Sequence, residues 1–222
     1  MCYSAKDSII GFISCISGAC VLLYIGFKHQ QPDYKLVGIF FLFISLMQLF
    51  DYLFWTNPEA TDKNKLYTKL AVIANHLQPI VLISLAFIFD SKLSQRSWMF
   101  ISLYILFTIP YTLKSFKEAP YMLAVDCSPD VCNGHSKIVE WGWNHLDNAN
   151  VVYGLFLACF VSIFYDAMHS NSMKWMMILL SVSSLAFTSF KYKVSRNEGR
   201  MWCYVAAFMP WVVIGNYYFN QK

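Results

Sequence analysis

The chain has 222 residues, 57% of them hydrophobic and only 14% charged, with a formal net charge of +4. Soluble domains carry roughly 25% charged and 45–50% apolar residues, so this composition excludes an ordinary soluble domain and points to an all-α, multi-pass integral membrane bundle. The Lys and Arg residues form no dense basic tract, which leaves nucleic acid without a partner surface.

Seven segments have the length and apolarity to span a bilayer, roughly 8–27, 36–55, 66–89, 98–116, 138 or 151 to 165, 173–190 and 201–219. Each approaches the roughly twenty residues that a hydrocarbon core of about 30 Å requires. The whole of 1–222 therefore reads as one seven-helix transmembrane domain. The first run is read as a span, not a signal peptide, because no small-x-small cleavage site follows it cleanly. Within it Gly11, Cys15 and Gly18 share one stripe, where small side chains let a neighbouring helix approach. Pro79, Pro110 and Pro210 fall inside the third, fourth and last spans, where each removes a backbone hydrogen bond and favours a kink.

The longest connection covers 117–150. Cys127 and Cys132 flank a Ser-Pro turn there and close a disulfide if the loop faces an oxidising side; otherwise they are free thiols. A zinc site of these two cysteines with His135 is one ligand short. The fifth span has two starts, because the polar stretch from Trp141 to Asn150 could continue the helix into a hydrated vestibule. The Trp and Tyr residues at span ends read as interface anchors. Eleven of the seventeen Lys and Arg lie on the side of the N-terminus, which favours a cytoplasmic N-terminus. Most of the acids share that side, so the orientation stays open.

The polar residues inside the spans carry the functional expectation. A charge at bilayer depth costs about 2.5–3.5 kcal/mol on insertion scales. His76 sits mid-span in Asn75-His76-Leu77-Gln78-Pro79. In the second span Ser45, Gln48, Asp51, Tyr52 and Trp55 recur at three- and four-residue steps and form one helical face. Asn75 and Gln78 share a face, from which His76 is turned by about 100°. Asp51 would form the mouth of a polar track and His76 its deep end. His145 and Asp147 before the fifth span, and Arg200 at the start of the seventh, gather on the same side. Asp51 could pair with Lys69 or Arg200. The bland alternative is that Gln48, Asn75 and Gln78 are interhelical glue, each bond worth about 0.6 kcal/mol, and that His145 and Asp147 are a solvated loop end.

Several activities lack their residues. A retinal-type pigment needs a lysine within the last span, and 201–219 has none. Gly-x-Ser-x-Gly and phosphate-binding Gly-rich loops are absent, and no cofactor is implied. Cys2 would become an N-terminal nucleophile only if Met1 were removed.

The opening Met1-Cys2-Tyr3-Ser4-Ala5, a span, and then Gln48-Leu49-Phe50-Asp51-Tyr52-Leu53-Phe54-Trp55 resemble a family of uncharacterised polytopic membrane proteins of bacteria and large DNA viruses. Its members open with Met-Cys-Phe/Tyr-Ser-Ala and carry a similar Gln, acid and Trp pattern at the end of the second span. The likeness is clearest over the first 55 residues. It implies a multi-span membrane protein, draws attention to Cys2, Gln48 and Asp51, and implies no activity.

The expected function is a membrane protein with a polar internal cavity: a channel, transporter or binding protein for a proton, cation or small polar ligand, with homo-oligomers open. The alternatives are a membrane-embedded lipid hydrolase using Asp51, His76 and His145, and a structural protein whose polar residues only hold the bundle together.

Overall fold

The computed structural model describes residues 4–126, 137–192 and 198–219, with the side chains of 192, 198 and 200 left out. Cys2, Cys127, Cys132 and His135 lie outside these residues. The chain folds as an all-α bundle. Among the described residues six helices are long and apolar enough to cross a membrane: α1 (Ala5–Lys28), α2 (Pro32–Thr56), α3 (Asp62–Ile88), α4 (Gln95–Glu118), α5 (Ala149–Ala167) and α6 (Asn171–Tyr192).

Local chemistry sets their ends. Ser4, Thr61 and Ser94 cap α1, α3 and α4, each hydroxyl accepting from the backbone N–H three residues on. Pro32 opens α2, where its missing N–H has no helical partner to lose. Left-handed Gln30 and Asp90 turn the chain after α1 and α3. The short connections make an up-and-down bundle. One end carries residues 57–61, 119–126 and 137–148, the other 29–31, 89–94 and 168–170.

The seventh segment is not one helix. It divides into α7 (Glu198–Ala206) and α8 (Met209–Phe219). Pro210 cannot donate to the Ala206 carbonyl, and its ring would clash there. The chain turns instead, with Ala207 N–H donating to Tyr204 and Phe208 N–H to Val205. By contrast α3 and α4 run on through Pro79 and Pro110. A small void of about 20 Å³, room for about one water, adjoins the break and is lined by Gln78, Ser181, Trp202, Cys203, Ala206 and Met209 among others.

The fifth span begins at Ala149, and the earlier start is overturned. Residues Lys137–Val139 form strand β2, paired antiparallel with β1 (Ala124–Asp126). Gly142–His145 make a single 3-10 turn, and left-handed Asn148 begins α5.

The α1 stripe packs closely. The Cys15 thiol meets the Phe41 carbonyl at 3.4 Å. A Cβ on Gly11 would lie 2.9 Å from Gln48 Oε1, and one on Gly18 would lie 2.7 Å from Pro210. An aromatic column of Phe40, Phe156, Phe160, Phe164, Tyr104 and Trp202 fills the middle of the bundle. At the end opposite the long connection, buried Asp33 accepts from the backbone N–H of His169 and Ser170 and meets the His169 ring, which holds the α5–α6 turn. Asp166 does the same for the start of α4 through Ser94 and Ser97.

Candidate functional site

The connection between α4 and α5 folds inward. Trp141 is 2% exposed and Trp143 fully buried, packed with Met47, Phe54, Ala71 and Val72 of α2 and α3. These two indoles are core residues, in contrast to the hydrated vestibule expected of the stretch they open. Their rings lie 4.9 Å apart. Gly142 between them lets the turn approach Ala119, whose Cβ would be 3.2 Å from a Cβ there. Asn64 fastens the same connection by accepting from the Met122 N–H and donating to the Met122 and Asn57 carbonyls.

Asp51 is wholly buried on α2, and its Oδ1 accepts from Trp141 Nε1 at 2.9 Å. That indole is one partner of Asp51; the Arg200 side chain, with which a pairing was expected, lies outside the described residues. Gln48, one turn earlier, is buried against Gly11 of α1. Ser45 bonds to its own helix, at the Leu42 carbonyl.

The third-span motif divides between two faces. Asn75 donates to the Tyr153 hydroxyl at 2.9 Å, and Tyr153 donates to Asn144 at 2.5 Å. Gln78 reaches Asn75 at 3.5 Å. This chain of hydrogen bonds ties α3 to α5 and to the 3-10 turn.

His76 faces α4. Its Nδ1 lies 2.7 Å from Thr112 Oγ1, and its backbone carbonyl accepts from the Tyr104 hydroxyl at 2.8 Å. Thr112 already donates to the Thr108 carbonyl. The network therefore assigns the Nδ1 proton to His76, donated to Thr112, and leaves Nε2 a lone-pair acceptor. Nε2 is buried without a hydrogen-bond partner among the described residues.

Asp51 and His76 are linked through packed aromatic groups. The path runs from Asp51 to Trp141, across the stacked indoles to Trp143, and from the Trp143 carbonyl to the hydroxyl of Tyr111, whose ring lies 5.7 Å from that of His76. Side chains thus occupy the expected track. The His145 and Asp147 side chains stay apart from it: His145 pairs with Glu140 at 3.4 Å, and Asp147, 92% exposed, pairs with Lys114 at 3.2 Å. Among the described residues no three His, Cys, Asp or Glu side chains come together as a metal-binding group.

His76 lines a groove of about 390 Å³ between α3 and α4. The remaining walls are almost wholly aliphatic, with Ile73, Leu77, Ile80, Ile105, Ile109 and Leu113 beside Tyr104, Thr108 and Thr112. Ile109 and Leu113 are more than half exposed, so the groove opens on the flank of the bundle. Sequence reasoning missed Tyr153, Tyr104, Tyr111, Thr112 and the two indoles. Trp141-Gly142-Trp143 was the available signal, since two indoles around a glycine in a connection need somewhere to bury their rings. Comparison of the chain with family models, curated proteins and solved structures finds no match.

Proposed function

We propose that the chain is a multi-pass integral membrane protein that binds a small amphiphile in the α3–α4 groove, with His76 as its polar anchor. Six membrane-length helices support the first part. The likeness of the first 55 residues to a polytopic membrane family agrees with it.

The observation that carries the second part is the buried, unpartnered Nε2 of His76, a residue that lines a largely aliphatic groove. Leaving such a group unsatisfied costs about 1–3 kcal/mol, and an ionisable side chain at membrane depth points to a functional site. A groove of this size and lining suits one aliphatic chain with one polar end. The assigned tautomer makes that end a hydrogen-bond donor, such as a hydroxyl or an undissociated carboxylic acid. Nε2 is covered in the structure, so the imidazole turns toward the groove when the ligand enters. The packed Trp141, Trp143 and Tyr111 favour binding over conduction.

A thermal-shift titration in micelles with a long-chain primary alcohol tests this reading. The wild type gains stability saturably, whereas Ile109→Trp, which fills the groove from its exposed rim, gains none. Equal shifts in both proteins would sink the reading.

A further inference from the structure

A second groove, of about 410 Å³, lies between α4 and α5. Its walls are Phe100 of α4 with Gly154, Leu157, Ala158 and Val161 of α5. A Cβ built on Gly154 meets nothing within 4 Å, so the far end of the groove is open space. From Gly154 to Tyr165 the helix rises about 16 Å, close to half of a hydrocarbon core of about 30 Å. The groove is therefore as long as one leaflet is deep.

Its end near residues 89–94 and 168–170 is cationic. The Arg96 guanidinium lies 4.8 Å and the Lys174 ammonium 4.7 Å from the centre of the Tyr165 ring. Arg96 and Tyr165 line the end of the groove, and Lys174 of α6 reaches the same ring. The nearby carboxylate, Asp166, sits 3.7 Å from Arg96 and also accepts from Ser94 and Ser97. No described carboxylate lies within ion-pair distance of Lys174. One acid against two bases leaves a net positive charge where the apolar groove ends.

We propose that this groove holds an anionic phospholipid, its phosphate beside Arg96 in the positive field that Lys174 adds around Tyr165, and one acyl chain running along Phe100 and Val161 to Gly154. The proposal rests on the membrane reading above but not on the His76 site. The charge selects an anionic head over a zwitterionic one, and the leaflet-length aliphatic floor selects a lipid over free phosphate. Arg and Tyr at this level suit the headgroup boundary.

Native mass spectrometry of the full chain in micelles tests it, with phosphatidylglycerol, phosphatidylcholine of the same acyl chains, and inorganic phosphate as probes. Wild type retains phosphatidylglycerol over phosphatidylcholine. Arg96→Gln with Lys174→Gln weakens that preference about thirtyfold, taking about 1 kcal/mol for each basic residue near the headgroups. Lys174→Gln alone, which orphans no carboxylate, weakens it several-fold and guards against misfolding of the double variant. Gly154→Leu, placed where a Cβ meets no protein atom within 4 Å, lowers retention of the anionic lipid without lowering the melting temperature. An equal hold on both lipids, an unchanged preference in Lys174→Gln, unchanged retention in Gly154→Leu, or displacement of the lipid by phosphate would each overturn the proposal. Release of the chain from membranes by alkaline carbonate would instead overturn the membrane reading, so the two failures are distinct.

Discussion

The Trp141 indole donates to the Asp51 carboxyl at 2.9 Å, joining residues ninety positions apart and fixing the inward-folded connection to α2. Both partners are buried. Trp141→Phe keeps most of the ring packing and removes the donor, at a cost of about 1–3 kcal/mol for a buried acceptor left short of a bond. Asp51→Asn keeps an acceptor oxygen for this indole. Unfolding of the purified variants in mixed micelles measures both, and a Trp141→Phe protein as stable as wild type would remove this contact from the account.

Tyr153 bridges Asn75 on α3 and Asn144 in the 3-10 turn. Tyr153→Phe deletes only the hydroxyl, and the two amides lose a shared partner, again at about 1–3 kcal/mol. Because the three residues act as one network, Asn75→Ala and Tyr153→Phe combine to less than the sum of their separate costs. A double-mutant cycle reads this directly, and strict additivity would mean that the chain of hydrogen bonds contributes nothing as a unit.

Gly18 and Gly154 respond oppositely to the same substitution. A Cβ on Gly18 would lie 2.7 Å from Pro210, at the start of α8, whereas one on Gly154 meets open space. Gly18→Ala therefore destabilises by about 1–3 kcal/mol through overpacking. Gly154→Ala stabilises by roughly 0.5–1 kcal/mol through helix propensity. Melting temperatures of the two variants, compared side by side, check the sign of each.

Asp33 receives the backbone N–H groups of His169 and Ser170 at 3.0 and 2.9 Å. Asp33→Ala frees both amides and loosens the α5–α6 turn. Hydrogen exchange rises at His169 and Ser170 while the amide of Asn75, far along the bundle, keeps its protection. Uniform acceleration throughout the chain would show that Asp33 acts on global stability and not on the turn.

The helical architecture is legible in the sequence because apolar runs of about twenty residues need no tertiary information to be recognised. The Gly11, Cys15 and Gly18 stripe is legible for the same reason, since a single helix fixes which residues share a face. The break at Pro210 is half legible. The proline announces a lost hydrogen bond, but whether a helix bends or stops depends on what packs beside it, and α3 and α4 run through theirs. The surroundings of Asp51 and His76 are not legible. The Trp141 partner of Asp51 comes from a connection whose polar letters resemble a hydrated vestibule, and the described side-chain partner of His76 is Thr112, on another helix. The pattern along one chain segment does not encode which side chains arrive from another. His145 and Asp147 show the converse, because closeness to a span end in sequence places them at the surface with Glu140 and Lys114.

The central claim is that an amphiphile with a hydrogen-bond donor binds at His76 through the α3–α4 groove. Photolabelling of the protein in vesicles with a diazirine-bearing long-chain alcohol, followed by peptide mapping, tests it most directly. Binding there gives saturable labelling of residues 73–80 and 105–113, competed by the unlabelled alcohol, reduced in His76→Leu and absent in Ile109→Trp. Labelling spread evenly over the exposed apolar faces of all helices, without competition and unchanged in both variants, would contradict it.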